Sequence, residues 1–378
     1  MDSFVLEQKT FDRTQEWNDA GYTGKGIIVW DVEGLNSHGE MTLKRILDAA
    51  PDAEVLNYGI NMKSSNKGLE YEYVLLDDGT KISSDEFVKN NGVTILSHSH
   101  SGHNNNKKYI IELYKNLQEK YNVALFNSAG NTGAVGPSGA IPESLAIYVG
   151  AAVVFKHDFN DIRMASYSSI GDEFEEVDFT TFVGPAGWSG TSFSCPYLAG
   201  ICALLQQRYG KDITQQEIYQ YFKMIAKPID TGHKIKDNYD SWSGYGIPIL
   251  PHVDKKLIRM KIGETTYKVD NELRTMDVAP IINLQHTFVP VAFVALALGA
   301  KVEWDAKDRS VTITKNGKIV KMWIGNKFYH INGKPYYMEV EPFIRNSRTL
   351  VPIAFVAEAL GCKVGWVADM REVMILEG

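Results

Sequence analysis

The chain has 378 residues, 44 % hydrophobic and 22 % charged, with a formal net charge of −7. That length suffices for two or three domains with a substantial core, and an acidic balance with no basic stripe argues against nucleic acid as a partner. No apolar run approaches the ~18–20 residues of a membrane span. The start, MDSFVLEQKTFDRTQEW, lacks the basic n-region and apolar h-region of a signal peptide. The expectation is a cytoplasmic chain, one exported by another route, or one whose leader has been removed.

Residues 24–250 alternate short apolar runs with helical patterns, which predicts an α/β fold on a parallel sheet. GIIVW (26–30) is a continuous apolar run, as a strand covered on both faces requires, and it ends on Asp31. NSHGE (36–40) puts His38 at a turn into an amphipathic helix carrying Leu43, Ile46 and Leu47. Residues 60–84 are polar and read as a surface excursion. VTIL (93–96) is a second buried strand. It runs into SHSHSGH, where His98, His100 and His103 crowd together. Residues 98 and 100 would share one face of a strand, but no Asp, Glu or Cys in the segment completes a metal site.

KKYIIELYKNLQEKY (107–121) predicts a helix with Ile110, Leu113, Tyr114, Leu117 and Tyr121 on one face. VALF (123–126) and IYVGAAVV (147–154) are further strands, the first leading into a glycine-flanked turn at Asn131. CPYLAGICALLQQRYG is apolar nearly all round. It reads as a central helix with Pro196 at its first position and a stop at Gly210. Ser192 lies just before that start, where helix N–H groups favour a developing oxyanion. Cys195 and Cys202 are seven residues apart on this helix, ~10 Å along its axis, too far to bridge. With Cys362 they read as buried small apolar residues.

From about residue 251 the texture changes and a repeat appears. MDVAPIINLQHTFVPVAFVALALGAKVEWDAKDRSVTI (276–313) aligns without gaps on MEVEPFIRNSRTLVPIAFVAEALGCKVGWVADMREVMI (338–375), and roughly half the positions are identical. In each unit a proline, Pro290 or Pro352, opens a short helix ended by Gly299 or Gly361. Units of about 256–315 and 318–378 would stack into one small α+β module.

Several motifs together carry a family resemblance. EWNDAGYTGKGIIVWD, NSHG, NSAGNTG (127–133), GTSFSCPYLAG (190–200) and GYGIP (244–248) resemble, in order, the landmark segments of subtilases, the subtilisin-like serine proteases. The resemblance covers roughly residues 14–250. It implies a three-layer subtilisin-like α/β domain over 1–250, with the repeat domain over 251–378. Carried onto this chain, it implies Ser192 as nucleophile, His38 as general base and Asp31 as the carboxylate orienting the imidazole. Asn131 would donate to the oxyanion with the Ser192 N–H. The expected substrate is a protein or peptide laid as an added strand along Ser97, His98 and Ser99, with Ser128, Ala129 and Gly130 opposite. No cofactor or metal is implied.

Two departures stand out. The aspartate is followed by Val-Glu-Gly rather than Ser/Thr-Gly, and only seven positions separate Asp31 from His38. That short link omits the region where subtilases usually bind structural calcium, so none is expected. HGEMTLKRI replaces the usual HGTHVAG, which leaves His98 or His100 as fallback bases. The tail units resemble the stalk-type repeats named from the N-terminal region of copper amine oxidases. Such repeats occur on secreted and surface proteins of Gram-positive bacteria, which suggests a cell-surface or virion setting and a cell-envelope or other protein partner. They show no His/Cys set at copper-ligand spacing. The readings are an active serine endopeptidase, an inactive subtilisin-like scaffold, or a structural surface or virion protein that processes only itself.

Overall fold

The computed structural model describes residues 3–65, 68–99, 107–133, 146–155, 158–159, 161–170, 178–182, 189–236 and 239–378. His100 and His103 lie outside them. The chain falls into two compact units, Met1–Val253 and Asp254–Gly378.

The first unit is built on strands β1 (Ile28–Asp31), β2 (Glu54–Asn57), β3 (Ile95–His98), β4 (Ala124–Ser128), β5 (Ile147–Val154), β6 (Ile162–Met164) and β7 (Phe179–Phe182). They lie in the order β7-β5-β4-β3-β1-β2, parallel throughout, with β6 antiparallel on β5. The continuous apolar runs are explained by cover on both faces: Val29, Trp30, Ile95, Leu96, Leu125 and Val149 are all fully buried. Helix α1 (Ser37–Ala49) follows β1, α2 (Lys107–Tyr121) follows β3, and α3 (Thr191–Tyr209) runs through the centre of the unit. On α2, Ile110, Leu113, Tyr114 and Leu117 enter one core with Trp30, Phe87 and Leu96. The chain leaves β1 toward β2 on one side, while β3 pairs on the other. The carboxyl ends of β1 and β3 therefore flank a topological switch point, where α/β sheets place ligands.

Two expectations change. Residues 60–84 hold a three-stranded antiparallel sheet (Ile60–Ser65, Gly68–Leu75, Lys81–Ile82) rather than a plain excursion. The alternation in GLEYEYVL was the period-two signal for it. Helix α3 begins at Thr191, with Gly190 as N-cap, so Pro196 lies inside it rather than at its start. A proline in the second turn forfeits the N–H that would bond the Ser192 carbonyl and sets its ring against that carbonyl.

In the second unit the two repeats interlock rather than stack. Strand Leu257–Lys261 of the first pairs with Glu372–Leu376 of the second, and Ser310–Lys315 pairs across the junction with Lys318–Trp323. Each exchange covers a strand edge that a solitary unit would leave open. The helices Val291–Ala297 and Ile353–Leu360 contribute Val291, Val294, Ile353 and Val356 to a single shared core.

Candidate active site

The site forms where β1 and β3 end level, Asp31 opposite Ser97. Beyond β1 the chain turns through Gly34 into α1. Asn36 caps that helix, its side-chain oxygen accepting the Gly39 N–H at 2.9 Å while its amide donates to the Glu33 carbonyl at 2.9 Å. This double anchor brings His38, on the first turn, back over the strand end despite the short link. The turn is tight enough that a Cβ on Gly39 would stand 2.0 Å from the Gly34 carbonyl oxygen.

His38 Nδ1 lies 3.0 Å from Glu33 Oε2. The imidazole is 38 % exposed, whereas the glutamate side chain is fully buried. The other Glu33 oxygen accepts the Ser99 N–H at 2.8 Å. Asp31, the carboxylate picked out by the sequence, has other company. The Thr42 hydroxyl lies 2.6 Å from its Oδ2 and 3.0 Å from the Gly39 carbonyl. Its Oδ1 has no hydrogen-bond partner among the described residues. Burial holds the Asp31 carboxyl well above the usual carboxylate range despite the Thr42 contact, and the neighbouring Glu33 charge adds to the rise.

Ser192 is the second residue of α3, and its hydroxyl donates to the Ser99 carbonyl at 3.0 Å. The ring of the next residue, Phe193, lies 5.6 Å from the His38 ring between centroids. Arg45 of α1, fully buried, donates from Nε to the Phe193 carbonyl at 3.3 Å and so ties the histidine helix to the serine helix. The carboxamide oxygen of Asn131 accepts the Thr191 N–H at 2.7 Å and the Thr191 hydroxyl at 3.1 Å. That hydroxyl in turn accepts the Gly130 N–H at 3.0 Å. With its oxygen so engaged, the amide keeps two N–H donors, and its nitrogen lies 3.3 Å from where a Cβ on Gly190 would stand.

The remaining expected positions offer backbone more than side chain. Ser97, His98, Ser128 and Ala129 are at most 6 % exposed. The His98 ring points inward, with Nδ1 2.5 Å from the Tyr114 hydroxyl on α2. Tyr114 therefore engages that nitrogen. Ser99 contributes its N–H and carbonyl, as above, and the Gly130 carbonyl accepts the Ser169 N–H at 2.9 Å. No group of three His, Cys, Asp or Glu residues capable of holding a metal occurs among the described residues. The cysteines are free and buried. Reading the sequence missed Glu33, Thr42, Arg45 and Thr191. Only Glu33 left a trace, as the acidic residue in DVEG.

The model of the subtilase family matches residues 26–246, and that of the copper amine oxidase N-terminal domain matches 249–296 and 268–375. Among solved structures, the prenylagaramide maturation protease PagA is 18 % identical, with TM-score 0.44, over 62 % of this chain and 94 % of its own. MycP1 from Mycobacterium smegmatis is 16 % identical, with TM-score 0.44, over 64 % and 82 %. The psychrophilic subtilisin-like protease Apa1 from the Antarctic psychrotroph Pseudoalteromonas sp. AS-11 is 11 % identical, with TM-score 0.42, over 64 % and 95 %. Among curated proteins none matches the sequence.

Proposed function

This chain belongs to the subtilase family of serine proteases, and from that premise we propose that it is a serine endopeptidase working through Ser192, His38 and Asn131. A single observation carries the reading: Ser99 and Glu33 link the serine to the histidine, Ser99 contacting the one through its carbonyl and Glu33 the other through its carboxylate. The Ser192 hydroxyl meets the Ser99 carbonyl, the Ser99 N–H meets Glu33, and Glu33 meets His38.

In this reading a substrate strand lies along residues 97–99, and its N–H competes for the Ser99 carbonyl. The freed Ser192 hydroxyl turns to the imidazole. Nδ1–H is spent on a carboxylate at the end of β1, which leaves Nε2 unprotonated to take the serine proton. Oγ attacks the scissile carbonyl, and the oxyanion receives the Asn131 amide and the N–H of Ser192 at the helix start. The tetrahedral species collapses, the amine leaves with the proton from His38, and an acyl-enzyme remains. Water then repeats the sequence in reverse. Asp31, at the same strand end, meets the Thr42 hydroxyl of α1. The second unit serves anchoring or protein contact.

A peptide library digested by wild type and by Ser192→Ala tests the proposal. Internal cleavage is expected from the first and none from the second. Equal cleavage by both, or none by either, would sink it.

A further inference from the structure

Two carboxyl groups stand two residues apart at the end of β1, and they do different work. From the contacts of each, we propose that Glu33 is the positioning residue that holds the His38 imidazole, while Asp31 anchors helix α1. The proposal rests on the reading of Ser192 and His38 given above.

Glu33 alone of the two has its carboxylate on the ring, at 3.0 Å from Nδ1. Its side chain is fully buried, and its second oxygen is locked by the Ser99 N–H at 2.8 Å. A half-exposed imidazole is thereby held at one nitrogen by a carboxylate that has little freedom to move. Both partners of Glu33 here are nitrogens that can bring protons, which suits a charged carboxylate. The same residue fixes the backbone that faces Ser192, so base and nucleophile share one reference point.

Asp31 is held differently. Its recorded partner, Thr42, lies one helical turn beyond His38 and also faces the Gly39 carbonyl at 3.0 Å. One hydroxyl proton cannot serve both acceptors well. A protonated Asp31 resolves the conflict by supplying a second proton. The upward push that burial gives this carboxyl agrees. A neutral acid at residue 31 also spares the rim two adjacent like charges. Asp31 thus pins the helix, and Glu33 holds the ring.

The test uses the full chain as wild type, Glu33→Gln, Glu33→Asp and Asp31→Asn. Two readouts are taken: the far-downfield imidazole Nδ1–H proton resonance, assigned to His38 by its loss in His38→Gln, and the rate of labelling by a fluorophosphonate. Glu33→Gln is expected to erase the resonance and slow labelling by ~10⁴-fold, the loss typical when the wrong tautomer is favoured. Glu33→Asp, with the charge kept on a shorter stem, recovers part of both. Asp31→Asn keeps the resonance and slows labelling far less than Glu33→Gln. The reverse pattern, with the resonance lost in Asp31→Asn and kept in Glu33→Gln, overturns the proposal. If wild type takes no label, the reading of Ser192 fails, and the resonance still decides which carboxylate holds the ring. Circular dichroism checks that each variant is folded, and Glu33→Asp carries the test should Glu33→Gln not fold.

Discussion

The carboxamide oxygen of Asn131 takes the Thr191 N–H at 2.7 Å, so this side chain fastens the start of α3 and, in the proposed reading, supplies donors to the oxyanion. Asn131→Ala would remove both roles, whereas Asn131→Asp keeps an acceptor for Thr191 and removes the donors. Asn131→Asp is expected to lower kcat by at least ~10²-fold with little change in thermal unfolding, the usual cost of one oxyanion donor. Steady-state kinetics and a melting curve on the same preparation check this. At this scale the sequence was most informative where chemistry is written in a compact local motif. GTSFS points to Ser192 and NSAGNTG to Asn131 because each is a short contiguous motif, although the contacts that hold the two residues come from far along the chain. The histidine's carboxylate was not legible in the same way. Which of Asp31 and Glu33 meets the ring depends on how the Gly34–Asn36 turn swings α1 back over the strand end. That turn is held by two Asn36 hydrogen bonds that no pattern of residue types announces.

Among elements, the seat of α1 on α3 decides whether His38 and Ser192 meet. A Cβ on Gly200 would stand 2.6 Å from the Ile46 carbonyl and 2.9 Å from the Ala49 Cβ, so the two helices approach to backbone contact there. Gly200→Ala is expected to cost ~1–3 kcal/mol of stability, as overpacking does, read as a lower urea midpoint. Gly39→Ala acts nearer the chemistry. The 2.0 Å approach to the Gly34 carbonyl would push the α1 start off the strand end. Its expected signature is a fall in kcat out of proportion to any fall in stability. The strands and the amphipathic helix 107–121 were readable because burial on one or both faces leaves a direct imprint on residue order. The start of α3 was not. Its first turn, TSFSC, carries no side-chain cap, and the proline that looked like a beginning sits in the second turn.

At the scale of the molecule, the repeat was visible as repetition, but its interlocked strands were not. Alignment reveals equivalent segments without saying which copy a strand pairs with. The stability of the first unit carries a pH dependence from one buried carboxyl. Asp12 near the N-terminus is buried beneath α3, accepting from the Tyr197 hydroxyl at 2.8 Å and from Thr14. Burial pushes its carboxyl up to about 6, despite those bonds and the nearby Arg45 charge. As pH rises past 3.8 the unfolded carboxyl releases its proton, while the folded one keeps its proton until about 6. The native state therefore binds more protons in that window, and stability falls as pH rises through it. The loss is on the order of 3 kcal/mol at ~1.4 kcal/mol per pKa unit. Urea unfolding at pH 4 and pH 7 should show wild type losing most of that amount relative to Asp12→Asn, and a constant difference would contradict it. The central claim, that Ser192 is activated by His38, is tested most directly by treating the folded chain with a fluorophosphonate and mapping the adduct by mass spectrometry. A single adduct on Ser192, absent in Ser192→Ala and nearly absent in His38→Ala, is the expected result. Labelling of Ser192 that proceeds equally well without the imidazole, or an adduct on another residue, would contradict it.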